Sequence, residues 1–372
     1  MHAMQKPENV TVLGGWIFDG NRLHDDKAAR FEEGVFIELI DESDVLDSEN
    51  IVDLDDDLLC PGLVDLQVNG GGGILFNDDP SLDTLDRIAD AHYQLGTHTL
   101  LPTLISDTED KTSAAIAAAC DAIEQNIPGI AGLHLEGPHI SLAKQGAHAA
   151  DFIRPMSEDD LQQLLAAKEH LPVLKVTIAP ENVQLAQVET MAKAGILVAL
   201  GHTDADFDTC INYAKAGVRC VTHLFNAMSQ LGSRDPGLVG AALQTDSLYA
   251  GIIADGIHVH PANLDFVFRA KNDLDSLFLV SDAMAVAGSE DQEFLLNGRR
   301  VLRENGRLCL EDGTLAGADL DLVTAIKRLT SEVGIPMEVA LRAATTVPAS
   351  LIGLPIQLTQ EQTELDSLIR IS

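Results

Sequence analysis

Basic residues are scarce in this chain of 372 residues: 24 Lys and Arg stand against 58 Asp and Glu, a formal charge of −34 at neutral pH. Affinity for a nucleic-acid backbone rests on clustered Lys and Arg, so that role is excluded, and an anionic membrane surface is an equally poor partner. Cysteine is sparse too. Cys60, Cys120, Cys210, Cys220 and Cys309 are odd in number, lie far apart and form no C-x-x-C pair, which reads as a reducing compartment rather than a disulfide framework. Nowhere do 18 apolar residues run together, and the polar stretch 1–10 has neither an apolar h-region nor a small-residue cleavage site. The expectation is a cytoplasmic protein that does not enter a membrane. Also missing is G-x-G-x-x-G: Asn69-Gly70-Gly71-Gly72-Gly73 is glycine-rich without that spacing, which argues against a dinucleotide-binding sheet.

What is present is apolar content, 46% of residues with only 22% charged, enough to bury a large core. Up to about residue 60 the chain reads as short strands, at 10–13, 34–40 and 51–54, with turn signals such as Asp19-Gly20-Asn21 between them. From Pro61 the pattern changes to short apolar runs, each followed by a helical stretch: 62–68, 98–101, 132–136, 173–178, 196–202, 220–223, 249–255 and 277–282. Stretches 82–95, 111–125, 158–170 and 184–194 between them carry apolar residues at three- and four-residue spacing, as amphipathic helices do. Eight strand-then-helix units predict an α/β fold, a (β/α)8 TIM barrel. Beyond the eighth run the pattern predicts a hairpin at 299–310, helices at 319–333 and 337–345, and a strand at 367–371 returning to the N-terminal unit. The expected division is a catalytic barrel over 61–353 and a small β-sandwich domain built from 1–60 and about 354–372.

Active sites of such barrels lie at the C-terminal ends of the strands. The third run closes with Glu136, the fifth with His202, the sixth with His223 and the eighth with Asp282. One such histidine alone is more often a hydrogen-bonded structural residue. Together, one carboxylate and two imidazoles suit a divalent ion such as zinc, which keeps a position open for water in catalytic sites. Asp282 is then free for proton transfer.

The runs Pro61-Gly62-Leu63-Val64-Asp65, Leu133-His134-Leu135-Glu136-Gly137-Pro138-His139, Gly201-His202-Thr203, Thr222-His223-Leu224-Phe225-Asn226-Ala227-Met228, Ala254-Asp255-Gly256-Ile257-His258 and Ser281-Asp282-Ala283 resemble the N-acetylglucosamine-6-phosphate deacetylases of the amidohydrolase superfamily. The resemblance spans about 61–353 in the right order. It implies the barrel with a small β domain, a divalent metal, zinc by expectation, and removal of acetate from an amino-sugar phosphate. Where many amidohydrolases carry H-x-H this chain has Gln67 and Asn69, poor zinc ligands, so one metal is expected, on Glu136, His202 and His223. Lys175 is expected to pair inside the barrel, and His134 to be a hydrogen-bonded core histidine.

The resemblance further implies that Asp282 moves the proton and that His148 binds the substrate and polarises its carbonyl. It implies phosphate contacts from the backbone amides of Asn226 and Ala227, from the ring of His258, and from Arg234 acting on the neighbouring subunit's substrate, hence a homodimer. Leu315 and Gly317 belong to the sugar contacts, next to Ala318 where serine is common. The N-acetylgalactosamine 6-phosphate epimer stands as an alternative substrate, because one inverted hydroxyl is read by one or two contacts. A cyclic ureide is disfavoured without H-x-H. A metal- and sugar-phosphate-binding regulator without turnover would have no use for Asp282.

Overall fold

The computed structural model describes residues 9–46, 48–355, 358 and 363–372. The polar start 1–8 and part of the C-terminal segment, 356–357 and 359–362, lie outside the described residues.

The eight apolar runs become eight parallel strands: Leu63–Val68, Thr97–Ile105, Gly132–Glu136, Val173–Ile178, Leu197–Leu200, Cys220–Val221, Tyr249–Ile252 and Leu277–Leu279. Each pairs with the next in chain order. The ring closes where the Asp282 amide donates to the Gln67 carbonyl (3.1 Å) and the Asn69 amide to that of Ala283 (2.9 Å). All six residues of Leu63–Val68 and of Val173–Ile178 are buried, because helices cover one face and the barrel interior fills the other. The helices Leu82–Gln94, Glu109–Glu124, Glu158–His170, Leu185–Lys193, Phe207–Ala216, Gly237–Gln244 and Pro261–Ala270 connect successive strands. Their starts follow the side chains: Ser157 accepts from the Asp160 amide and Asp160 accepts from the Ser157 amide, a reciprocal cap that fixes the helix at Glu158. The fold is the expected TIM barrel with additional small sheets.

Two differences from the sequence pattern have physical causes. The second strand extends to Ile105 rather than stopping at Leu101, because Pro102, which has no N–H to give a ladder, is accommodated by a register shift between Leu100 and Pro102. His202, His223 and Asp282 lie two or three residues beyond the last ladder residue of their strands, and only Glu136 sits within its own. They stand on left-handed backbone, with φ of 47°, 29° and 51°.

Residues 9–61 form more strands than the three expected. One sheet orders Val35–Asp41, Lys27–Glu32, Asn9–Leu13 and Ile51–Asp53; another orders Leu368–Ile371, Leu58–Pro61, Trp16–Phe18 and Leu23–His24. The C-terminal strand does return, antiparallel to Leu58–Pro61. Val12, Ile17, Phe31, Leu54 and Leu59 belong to an apolar cluster separate from the barrel's. A four-stranded antiparallel sheet, Glu293–Leu296, Arg299–Glu304, Arg307–Leu310 and Leu315–Ala318, follows the eighth strand and packs Val301 and Leu308 on Met284 and Val286. No helix among the described residues is long and apolar enough to cross a membrane.

Candidate active site

At the C-terminal mouth of the barrel, Glu136 Oε1 lies 3.1 Å from His202 Nε2 and 3.0 Å from His223 Nε2, and the two nitrogens are 3.0 Å apart. The tautomer of His202 is set from behind, since its Nδ1 stands 2.8 Å from the Lys144 carbonyl, which can only accept. Nε2 of the neutral ring is then a lone pair facing a carboxylate oxygen. Three acceptor atoms in a triangle with one proton available between them are repulsive unless a cation joins them. The donor set and its spacing therefore fit one divalent ion held by Glu136, His202 and His223. Glu136, His148 and His202 also bring ligand atoms within 4.8 Å of one another, but His148 Nδ1 is taken up by Ser106 and the shorter triangle uses His223. Burial would raise the Glu136 carboxyl; the rings of His202 and His223 beside it outweigh that and hold the group well below the usual range.

Asp282 stands beside this triangle. Its Oδ1 accepts from Asn69 Nδ2 (2.8 Å) and from Gln67 Nε2 (3.1 Å), and the same Gln67 amide reaches both oxygens of Glu136 at 3.4 and 3.3 Å. Burial first, and then the charge of Glu136, raise the Asp282 carboxyl. A carboxylate moved towards neutrality is suited to taking up and returning a proton. Sequence reasoning identified Gln67 and Asn69 only as missing ligands. The structure gives them an occupation, orienting Asp282.

His148 closes another side. Its Nδ1 accepts from the Ser106 amide (3.3 Å) and meets the Ser106 hydroxyl (2.8 Å), so the neutral ring carries its proton on Nε2. Burial first and the imidazole of His202 second push His148 down to about 3, so it stays neutral at ordinary pH. Gly137 makes this possible: at φ +87° a Cβ there would lie 2.2 Å from Ser106 Oγ. Ser106 follows the strand Thr97–Ile105, five residues past the end of the apolar run at Leu101, so no sequence pattern marks it.

A cavity of about 260 Å³ joins these groups to Asn226, Ala227, His258, Leu315 and Gly317. The structure thus brings together every residue expected to act on metal or substrate except Arg234, which is exposed in the loop before Gly237 and pairs with no acidic group among the described residues. The Asn226 amide is already used, donating to the His223 carbonyl at 2.9 Å, so the anion-binding amide expected there is not free. His258 is held by Asp255, Oδ2 to Nδ1 at 2.6 Å. Phe225 and Ala227 have φ of 78° and 48°, and with His202, His223 and Asp282 they make the mouth a concentration of left-handed non-glycine backbone. His134, Lys175 and His139 lie elsewhere: His134 between Thr103 and Thr177 (3.0 and 2.8 Å), Lys175 bonded to the Leu66 carbonyl (3.2 Å), His139 to that of Arg154 (3.1 Å). His260 caps the helix Pro261–Ala270.

The amidohydrolase family matches residues 58–358. An N-acetylgalactosamine-6-phosphate deacetylase of Shewanella sp. (strain ANA-3) is 41% identical over 297 residues, 80% of this chain and 75% of that one. An N-acetylglucosamine-6-phosphate deacetylase of Haemophilus influenzae is 33% identical over 310 residues, 82% of this chain and 80% of its own. The crystal structure of N-acetylglucosamine-6-phosphate deacetylase from Pasteurella multocida superimposes with a TM-score of 0.87 at 31% identity, covering 96% of this chain and 92% of that one.

Proposed function

Because the chain belongs to the amidohydrolase family, in its branch of amino-sugar-6-phosphate deacetylases, we propose that it hydrolyses the acetamide of N-acetyl-D-glucosamine 6-phosphate to D-glucosamine 6-phosphate and acetate. The observation that carries the proposal is the triangle of Glu136, His202 and His223 with Asp282 beside it in one cavity. The family implies a divalent metal, and these three residues would hold one ion, zinc by their chemistry. Such an ion supplies Lewis acidity, polarising the carbonyl and bringing the pKa of water to about 7. Asp282 takes the proton of the attacking water and delivers it to the sugar nitrogen, which must leave as an amine carrying that proton. Gln67 and Asn69 hold one oxygen of Asp282, leaving the other for this transfer. His148 donates from Nε2 to the carbonyl oxygen as negative charge develops on it.

The phosphate is assigned to the end of the cavity at Asn226, Ala227 and His258, with Leu315 and Gly317 against the sugar. Ala227, whose amide has no partner among the described residues, supplies the backbone donor. Arg234, exposed and unpaired, serves the neighbouring subunit of a homodimer. The domain division is part of the same proposal, a catalytic barrel over 61–353 and a small β domain of 1–60 with about 354–372, supported by the separate apolar cluster. So is a cytoplasmic setting, supported by five free cysteines. The galactosamine epimer is the second reading, favoured by the 41% identical relative. Acetate release from both epimers, with metal content measured on the same sample, tests the proposal. No release from either sinks it, and faster release from the galacto substrate makes the second reading the right one. Metal loading should plateau near one equivalent per subunit.

A further inference from the structure

We infer that Asp255 is a positioning residue for the anion end of the cavity, holding His258 so that the ring meets a phosphate as an imidazolium. The inference rests on the placement of the phosphate proposed above.

Among the described residues lining the cavity there is no Lys or Arg. A phosphate brought into a chain of formal charge −34 needs a positive partner within its own subunit as well as any from outside. His202 and His223 face Glu136, and His148 faces Ser106, so His258 is the imidazole left for the anion end. Its Nδ1 lies 2.6 Å from Asp255 Oδ2, and a carboxylate can only accept, so Nδ1 carries a proton. Nε2 is the atom that remains. The oxygens of a phosphate dianion likewise only accept, so a ring bonded to both anions carries two protons.

Asp255 is built to stay in place. Its Oδ1 accepts from the amides of Ile257 (2.8 Å) and His258 (2.7 Å), and Gly256, at φ +70°, lets the chain turn back on it. Arg328, from the helix Leu322–Arg328, donates to the Asp255 carbonyl at 2.6 Å and braces the loop from outside. Asp255 and His258 are 3% and 7% exposed at their side chains, so their attraction is little screened. Asp255 and Asp282 are acidic groups that interact with the ring, and Arg328 is bonded to the Asp255 carbonyl. A carboxylate needed only to cap the turn would do so through Oδ1, and the Oδ2 contact would be idle.

Asp255→Asn separates the two roles. Its oxygen can keep both backbone bonds, while its NH2 turns to Nδ1, which becomes an acceptor, and the neutral ring then carries its proton on Nε2. With N-acetylglucosamine 6-phosphate, the wild-type KM should climb as rising pH strips the ring of its second proton. In the variant, KM near pH 6.5 should be roughly ten-fold higher, since a neutral bond replaces a charge-assisted one. Its rise with pH should flatten, and kcat should stay within about threefold. Inhibition by inorganic phosphate should weaken by a similar factor. Nitrogen-15 spectra of His258 with inorganic phosphate should show two ring protons in the wild type and one, on Nε2, in the variant. An unchanged KM–pH profile in a folded variant overturns the inference. If the variant does not fold, the wild-type spectrum decides: a ring singly protonated at Nδ1 with phosphate bound overturns it equally. His258→Ala keeps the premise apart. If that change leaves the preference for phosphorylated over unphosphorylated sugar intact, the phosphate lies elsewhere and the assigned anion end falls, taking this inference with it.

Discussion

Two layers of buried polar side chains lie inside the barrel, one at Thr103, His134, Lys175, Thr177 and Thr222 and the other, a step towards the mouth, at Gln67, Glu136, His202, His223 and Asp282. In the inner layer each polar side chain has a partner: His134 bridges Thr103 and Thr177, Thr177 meets Thr222 at 2.7 Å, and Lys175 reaches the Leu66 carbonyl. Burial pulls the Lys175 ammonium below its usual range, and the layer tolerates it as a group with little to do. In the mouth layer Gln67 Oε1 and His223 Nδ1 have no partner, and so does Asn69 Oδ1 beside them. Three of its members stand on left-handed backbone, each costing of order 1–3 kcal/mol. Folding alone selects pairing and relaxed backbone. Unpaired atoms and strain collected in one layer mark where the chain gives up stability for chemistry.

The largest expected effect separates the layers most sharply. Asp282→Asn keeps the shape and removes a charge next to Glu136, so fold and metal content should persist, while kcat falls by roughly 10²–10⁴. Glu136→Gln should lose both metal and activity, because a neutral amide replaces an anionic ligand. An Asp282→Asn enzyme without metal would make Asp282 a ligand, and near-normal kcat would end its proton-transfer role. In the inner layer, His134→Ala should cost about 2–4 kcal/mol of stability, since it leaves a cavity and two threonine hydroxyls without their partner. Its kcat, read well below the unfolding transition, should stay within a few-fold. A loss of turnover as large as that of Asp282→Asn would erase the distinction between layers.

The same contrast explains what could be read in the sequence. Barrel strands announce themselves because both faces are buried, and the eight runs mapped one to one onto eight strands. The short N-terminal strands Trp16–Phe18, Leu23–His24 and Lys27–Glu32, three, two and six residues long, alternate too weakly to stand out in the sequence. At the site, residues that end a run were visible, because an ionisable group closing an apolar stretch is unusual. The residues that orient them were not. Ser106 lies beyond Pro102, and Gln67 and Asn69 show their bonds to Asp282 only when the ring closes through 282 and 67. Pairing across the barrel is set by closure, which no local pattern encodes.

Arg234 extends the comparison to a residue in neither layer, exposed and unpaired. Arg234→Ala should raise KM for the phosphorylated sugar about 10- to 100-fold, the equivalent of a charged hydrogen bond of roughly 1.5–3 kcal/mol. Stability should move by no more than about 0.5 kcal/mol. If the arginine acts across a dimer, mixing Arg234→Ala with Asp282→Asn subunits should restore one complete site per mixed dimer. An unchanged KM removes Arg234 from the anion site, and no recovery on mixing removes it from the interface.

The smallest effect concerns Asp65, fully buried below the mouth, whose oxygens accept from the amides of Gln67 and Ser281, both at 3.1 Å. Burial dominates over those bonds, and with the charge of Asp282 it pushes the carboxyl up to about 7. The folded protein therefore holds this proton more tightly than the unfolded chain, where aspartate titrates near about 3.9. Its contribution to stability is fully present below about pH 4 and is lost as pH rises through about 7. Between those limits the stability difference between wild type and Asp65→Asn should shift against the wild type by at most about 1.4 kcal/mol per pH unit. Chemical denaturation of both proteins at pH 5, 6 and 7 measures the slope. A difference that stays flat would show that Asp65 is ionised throughout, compensated by Lys175, and that the paired layer reaches to the edge of the mouth. A difference growing in the wild type's favour with pH would reverse the sign and place Asp65 among groups stabilised by their charge.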